Sequence, residues 1–156
     1  MVRHTTLMRF RHLWNKLTEG SGLGTSPEQM DDMQFIYRGL FEQTHDAVFI
    51  IDLQGNYTHA NVRAIDLLGY TLDELRKLNL KDISLEYPES QTILTRLLAG
   101  EHVPPYERGF RKKNGGELFG EISAELVRDA GGKPLHIQSM VRDISQRKQA
   151  VETLRR

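Results

Sequence analysis

The sequence contains no cysteine, no long apolar run and no excess of either charge. Without cysteine, disulfides, thiolate metal sites, a cysteine nucleophile and thiol redox sensing are excluded. No segment reaches the roughly 18 apolar residues that span a bilayer, and the first residues lack the apolar centre of a secretory signal. We therefore expect a cytoplasmic protein. The 21 basic and 21 acidic residues cancel, so no overall field favours nucleic acid.

Motifs for catalysis are also missing from the sequence. It contains no Ser–His–Asp set, no phosphate-binding loop and no cluster of residues with metal-ligand spacing. We expect a regulatory domain without catalytic residues and without a metal site. Its 156 residues suit one domain with flanking segments.

Two segments precede the predicted domain. Residues 1–25 combine a basic amphipathic stretch over 1–18 with a Gly/Ser-rich linker. Such a stretch either lies on anionic lipid or packs on the domain or a partner chain, and the second is favoured. Residues 26–45 predict a flanking helix, with a capping box at its start and an apolar stripe. The positions expected to form a dimer contact are Met33, Ile36, Tyr37 and Leu40.

Residues 46–143 predict the core, as two short strands, several short helices and three longer strands. Turns and caps punctuate it: Gly55 in a turn, Gly69 at a helix end, a Thr71–Glu74 capping box and Pro88 at a helix start. This order predicts an α+β fold, in which a five-stranded antiparallel sheet carries short helices on one face and has helices at both ends. A ligand cavity is expected between sheet and helices.

The loop at residues 113–115 fixes the register of a hairpin. The predicted pairs are Tyr106 with Ile122, Arg108 with Gly120, and Phe110 with Leu118. Arg108 would then face the core, beside the free space that Gly120 leaves, and a guanidinium there needs an anionic partner. One hypothesis is a ligand carboxylate. The favoured alternatives are a one-residue shift that turns Arg108 to solvent, or an internal partner such as Glu107 or Glu121.

The C-terminal residues 144–156 predict the start of a signalling helix. Asp143 and Gln146 have capping-box spacing, and Ile144, Val151 and Leu154 have the spacing of a short coiled coil. We expect the helix to continue beyond Arg156. Asp143, Ile144 and Gln146 are the expected relay residues between the last strand and this helix.

An ordered set of segments carries a family resemblance: 47–55, Asn61, 67–70, 73–75, 97–101, 111–115 and 141–150. Over residues 42–150 the sequence resembles the PAS (sensory box) family. The resemblance implies a sheet that cups short helices, a homodimer formed through flanking helices, and control of a separate kinase or cyclase effector. We expect a sensory domain that relays a ligand- or partner-induced change through its C-terminal helix. The alternative is a constitutive dimerisation and linker domain that binds no ligand.

The resemblance also bears on cofactors. Covalent flavin photochemistry requires a cysteine, and the corresponding stretch 81–84 has none. The haem branch places a histidine on the helix before the hairpin, where residues 88–99 have none, and His102 is expected to be solvated. FAD-binding members carry a tryptophan near the ring, whereas Trp14 lies outside the domain. We expect no cofactor, or a small organic ligand.

His59 on the second strand is a second polar residue expected to face inward. A histidine with an ordinary pKa of about 6.5 could sense pH, although a structural role is favoured. The full set of candidate cavity residues is Phe49, His59, Asn61, Tyr106, Arg108, Phe110, Gly120 and Ile122.

Overall fold

The computed structural model describes residues 35, 36 and 38–156. Residues 35, 36 and 38–43 are helical, which agrees with the predicted flanking helix over that part. We call residues 38–43 the incoming helix. The predicted segment 1–25, the start of the flanking helix, Met33 and Tyr37 lie outside the described residues.

Five strands form a single antiparallel sheet with the order β2-β1-β5-β4-β3. The strands are β1 Ala47–Ile51, β2 Tyr57–Ala60, β3 Tyr106–Arg111, β4 Glu117–Arg128 and β5 Pro134–Asp143. The predicted α+β class and five-stranded antiparallel sheet are confirmed. The last strand, β5, lies in the middle of the sheet.

Four short helices connect β2 to β3, and a fifth follows β5. They are α1 Val62–Leu68, α2 Leu72–Leu75, α3 Leu80–Ile83, α4 Tyr87–Leu98 and α5 Ser145–Arg155. Two helix ends are as predicted from the sequence: Gly69 ends α1 in the left-handed conformation, and Thr71 with Glu74 forms the expected capping box at the start of α2. Helix α3 was not predicted. It begins with a capping box of Asn79 and Asp82 and is too short to show an apolar period.

The sheet has two differently covered faces, because successive side chains of a strand point to opposite sides. The inner face, with Phe49 and Ile51, packs against α1–α4 in the main core. The outer face carries a smaller cluster in which Phe41 of the incoming helix packs with Val48, Ile50 and Met140. The incoming helix therefore begins to cover the face opposite to the cavity.

The hairpin register is the one that the loop at 113–115 predicted. Tyr106 pairs with Ile122, Arg108 with Gly120 and Phe110 with Leu118. At Gly120 the neighbours occupy the space of a side chain, since an added Cβ would lie 2.5 Å from Val141 Cγ1 and 2.9 Å from Phe110 Cε2. Gly120 is therefore needed for close packing of β4, and the expectation that it borders a free space beside Arg108 is wrong.

Replacing Gly120 with alanine should lower the free energy of unfolding by about 1–3 kcal/mol, because the added methyl group overpacks the core. Chemical denaturation measures this loss. Gly39→Ala is the matched control, since Gly39 has no heavy atom within 4 Å of an added Cβ. In the incoming helix that change should leave stability equal or raise it by about 0.5–1 kcal/mol. Equal stability of Gly120→Ala and wild type would contradict this packing.

Candidate functional site

A cavity of about 40 Å³ lies between the inner face of the sheet and helices α3 and α4. Most of its lining is apolar, and its polar members are few. The lining residues are Phe49, Ile51, Tyr57, Leu80, Ser84, Ser90, Ile93, Leu94, Leu97, Tyr106, Arg108, Phe110, Ile122, Ala124, Ile137 and Ser139. The cavity thus brings together five predicted residues: Phe49, Tyr106, Arg108, Phe110 and Ile122. It does not include His59, Asn61 or Gly120.

Two tyrosines border the cavity in their neutral form. The ring of Tyr57 packs edge-to-face on Phe49 with 5.6 Å between centroids. Burial, and after it the neighbouring Tyr106, raises the pKa of Tyr57. Burial raises the pKa of Tyr106 to about 12, although Arg108 acts in the opposite direction. Neither phenol supplies a negative charge to the cavity at neutral pH.

Arg108 lines this cavity and contributes its cationic group. Its Nε is buried and has no hydrogen-bond partner among the described residues. Its Cζ lies 5.0 Å from the centroid of the Tyr106 ring, a cation–π contact. The favoured expectation that a register shift would turn Arg108 to solvent is wrong.

The internal partners considered for Arg108 lie on the other face of the sheet. Glu107 is its neighbour along β3, and Glu121 is paired opposite Glu107, so both alternate to the outer face. There Glu107 accepts from Arg147 at 2.9 Å and forms an ion pair with Lys148 at 3.2 Å. The glutamates do not neutralise Arg108 within the cavity.

His59 faces away from the cavity, contrary to expectation. The pairing of β1 with β2 shifts between Ile50 and Ile51, so that Ile51 pairs with Tyr57 while Ile50 pairs with His59. This bulge leaves Tyr57 inside and turns His59 outward. Burial and Arg76 lower the pKa of His59. Burial, followed by the effect of His59, lowers the pKa of His136 to about 4. No motif or spacing in the sequence singles out this second histidine.

Asn61 is fully buried but does not line the cavity; its side chain connects elements of the domain by hydrogen bonds. Its Oδ1 accepts two hydrogen bonds, from the N–H of Val48 in β1 and from the N–H of Ala64 in α1, both at 3.0 Å. It is therefore the N-cap of α1 as well as a brace for the first strand. Its backbone N–H also donates to Val48 O at 3.0 Å.

The amide nitrogen of Asn61 reaches back to the incoming helix and the segment after it. It donates to Phe41 O at 2.9 Å, Thr44 Oγ1 at 3.0 Å and Asp46 O at 3.2 Å. Asp46 also forms an ion pair with Arg142 of β5, at 3.4 Å. Because Ala47 pairs with Val141, the start of β1 lies beside the end of β5. The incoming helix and α5 therefore leave the sheet at the same end.

A single residue, Ile144, lies between β5 and α5. Ile144 is buried and its N–H donates to Phe119 O at 2.9 Å. The N–H of Phe119 donates in turn to Ser145 Oγ at 3.2 Å. The ammonium of Lys148 lies 4.8 Å from the Phe119 ring centroid. The first turn of α5 is thus attached to β4 by backbone and side-chain contacts around one residue.

The expected capping box of Asp143 and Gln146 does not form, and that expectation is wrong. Strand β5 extends through Asp143, so the helix begins later and Ile144 occupies the cap position without a side-chain bond. The carboxylate of Asp143 accepts instead from the N–H of Ser145 at 2.9 Å. Gln146 is exposed. The residues of α5 from Gln146 onward are exposed, and Leu154 is 88% exposed.

Two further properties concern the described part of the chain. None of its helices combines the length and the apolarity that crossing a bilayer requires. Within the same residues, no three His, Asp or Glu side chains are grouped in a way that could hold a metal ion.

The PAS fold family matches residues 36–144, more than half of the chain. The chain therefore belongs to the PAS fold family, a class of sensory domains. A solved structure agrees: a domain of the sensory box sensor histidine kinase/response regulator from Geobacter sulfurreducens is 31% identical with a TM-score of 0.62. That alignment covers 77% of this chain and 100% of the other.

Curated relatives show where such a domain occurs. The sensor histidine kinase TmoS of Ectopseudomonas mendocina is 26% identical over 121 residues, or 76% of this chain. The "Probable diguanylate cyclase DgcE" of Escherichia coli (strain K12) is 23% identical over 115 residues, or 72% of this chain. The alignments cover only 12% and 10% of those two proteins. The chain thus resembles one regulatory segment of larger signalling proteins.

Replacing Asn61 with aspartate should lower the free energy of unfolding by about 2–4 kcal/mol, because it retains the α1 cap but places a carboxylate against three oxygen atoms. Hydrogen exchange should rise most at residues 38–46, on the donor side of the amide, and less in α1. Asn79→Asp is the control, an N-cap whose amide also donates to two oxygen atoms, but in solvent-exposed bonds, so the same change should cost less there. Uniform exchange in both variants would show that Asn61 does not hold the incoming helix.

Proposed function

We propose that this chain is a dimeric sensory relay domain, which passes a change at its cavity or incoming helix to a downstream kinase- or cyclase-type effector through α5. The single observation that carries the proposal is the uninterrupted path from the central strand β5 through buried Ile144 into α5. A linkage of one residue transmits a change of angle, whereas a flexible tether does not.

The position of the two flanking helices supports a relay. The end of the incoming helix is bound by Asn61, and the neighbouring Asp46 pairs with Arg142 shortly before α5 begins. Both helices thus attach to the paired strands β1 and β5. A rotation of one helix changes the packing at a point close to the other.

A second route leads from the cavity to the same junction. Phe110 lines the cavity and packs against Gly120, which neighbours Phe119 along β4. Phe119 in turn holds Ile144 and Ser145 by hydrogen bonds. A ligand that displaces Phe110 would therefore move the strand to which α5 is attached. These contacts support the coupling that the proposal requires.

Apolar residues that the single chain leaves exposed support dimerisation. Ile36 and Leu40 of the flanking helix are exposed, as is Phe35, at 80%. On α5, Val151 and Leu154 are exposed at the spacing of a coiled-coil seam. Ile144 does not continue this seam, because it is buried in the domain. Large exposed apolar side chains on one helix face favour burial against a second copy.

The double substitution Val151→Glu/Leu154→Glu should raise the dimer dissociation constant about tenfold or more, because two carboxylates would have to be desolvated in the seam. Sedimentation equilibrium measures the constant. Gln149→Glu/Thr153→Glu adds the same charge to other positions of α5 and should change it little. If both pairs of substitutions act equally, net charge rather than the seam controls association.

The relay itself is tested by fusing the whole chain at Arg156 to the catalytic region of a sensor histidine kinase. Insertions of one to seven residues in a continuous helix should change autophosphorylation periodically, with recovery at about seven residues, because the seam repeats about every 3.5 residues. Gly/Ser inserts of equal length are the control and should abolish the periodicity. Activity that ignores insert length would favour a ligand-free linker domain instead.

A further inference from the structure

The cavity has one cationic group in an apolar surrounding. Arg108 provides the charge, and three serines, Ser84, Ser90 and Ser139, provide hydroxyl groups. The hydroxyls of Ser84 and Ser90 lie 2.7 Å apart and bond to each other. One of the two hydroxyls donates this bond, so only the other can donate to a ligand, whereas both oxygens can accept a further bond. The remaining lining is aliphatic or aromatic.

Arg108 is half-buried, and a guanidinium nitrogen that is buried without a hydrogen-bond partner is unfavourable for the folded protein. The Nε of Arg108 is shielded from solvent and makes no hydrogen bond within the described residues. The Tyr106 ring, 5.0 Å away, compensates part of the charge but accepts no hydrogen bond in the plane of the guanidinium. Most buried polar groups in proteins have partners, so an orphaned donor that lines a cavity indicates a site for an acceptor.

We infer that the cavity binds a small monocarboxylate with a short apolar body, whose carboxylate pairs with Arg108 and whose hydrocarbon part contacts the aliphatic wall. This inference rests on the proposed function, since it names the ligand class that the cavity would sense. A planar carboxylate matches the fork of donors that a guanidinium presents.

The shape and charge of the cavity restrict the ligand further. Its volume of about 40 Å³ is far below the roughly 300–1,000 Å³ of sites for drug-sized ligands, so the apolar body must be short. A dicarboxylate would bury a second negative charge against residues such as Ile93 and Leu94, with no cation to pair with it. A neutral amide of the same shape would leave the charge of Arg108 uncompensated.

The position of Arg108 connects such a ligand to the output. Arg108 pairs with Gly120 across the hairpin, and the residue before Gly120 in β4 is Phe119, which holds the start of α5. A carboxylate on Arg108 would therefore act on the strand pair that carries the junction.

The test titrates the whole chain with butyrate by calorimetry and follows its melting temperature. Butyramide, succinate and sodium chloride at equal ionic strength are the ligand controls. Butyrate should bind and raise the melting temperature, and the three controls should not. Arg108→Met should weaken butyrate binding roughly 10- to 100-fold, as expected for loss of charge-assisted hydrogen bonds. Arg111→Met is the matched control, because Arg111 is an exposed arginine at the end of the same strand.

A second readout separates ligand binding from a structural role of Arg108. Without ligand, Arg108→Met should melt at the same or a higher temperature than wild type, because it removes a buried donor that has no hydrogen-bond partner. A purely structural arginine would lower the melting temperature when replaced. The inference is overturned if butyrate gives neither heat nor thermal shift with wild type, or if Arg108→Met binds it equally well.

The result is independent of the relay experiment. If butyrate fails to bind while the helical inserts still act periodically, the relay stands and the ligand class is wrong. If butyrate binds and the inserts have no periodic effect, the ligand site stands and the relay is wrong.

Discussion

The side-chain amide of Asn61 joins three parts of the domain that are distant in sequence. Its oxygen accepts hydrogen bonds from the first strand and the first helix of the core. Its nitrogen donates to the carbonyl oxygen of Phe41 in the incoming helix and to that of Asp46 after this helix. Only an amide can serve both sides, since a carboxylate lacks the donors and an aliphatic side chain lacks both functions. Because the residue is fully buried, every bond that it loses leaves an unsatisfied group inside the protein. The direction in which the incoming helix leaves the sheet depends on this amide.

The order of the strands gives this constraint a functional meaning. The first strand of the core is paired with the last one, and the last one is central in the sheet. A helix attached before β1 and a helix attached after β5 must therefore emerge side by side, whatever lies in the cavity. The ion pair of Asp46 with Arg142 adds a polar contact between the two exits, although it is partly exposed and contributes little stability by itself. In the proposed relay, proximity rather than a strong single bond would make the two helices sensitive to each other.

Much of this architecture could be predicted from local chemistry, and the failures have physical causes. The loop at 113–115 fixed the hairpin register and so placed Arg108 on the inner face. His59 was misplaced because strict alternation from Tyr57 does not allow for a bulge, and no residue type in the short β2 indicates one. Asp143 had the right spacing for a cap, but the central strand continues through it because pairing with β4 extends to Gly120. A local sequence pattern predicts hydrogen bonds between nearby residues. The orientation of His59 and the role of Asp143 depend instead on pairing with a neighbouring strand.

Arg108, whose Nε has no hydrogen-bond partner, and the closely packed Gly120 are paired with each other across the hairpin. Gly120 lacks a side chain, so the Phe110 ring and Val141 approach its backbone, and the core near the junction contains little free space. A densely packed region responds to an added group by shifting as a unit, since interiors are not easily compressed. Arg108 is paired directly with Gly120 across the hairpin and lines the cavity on the inner face of the sheet. An anion that neutralises Arg108 would change the charge directly beside Gly120. The stiff packing at Gly120 would convert that change into a movement of Phe119 and of the helix that Phe119 holds.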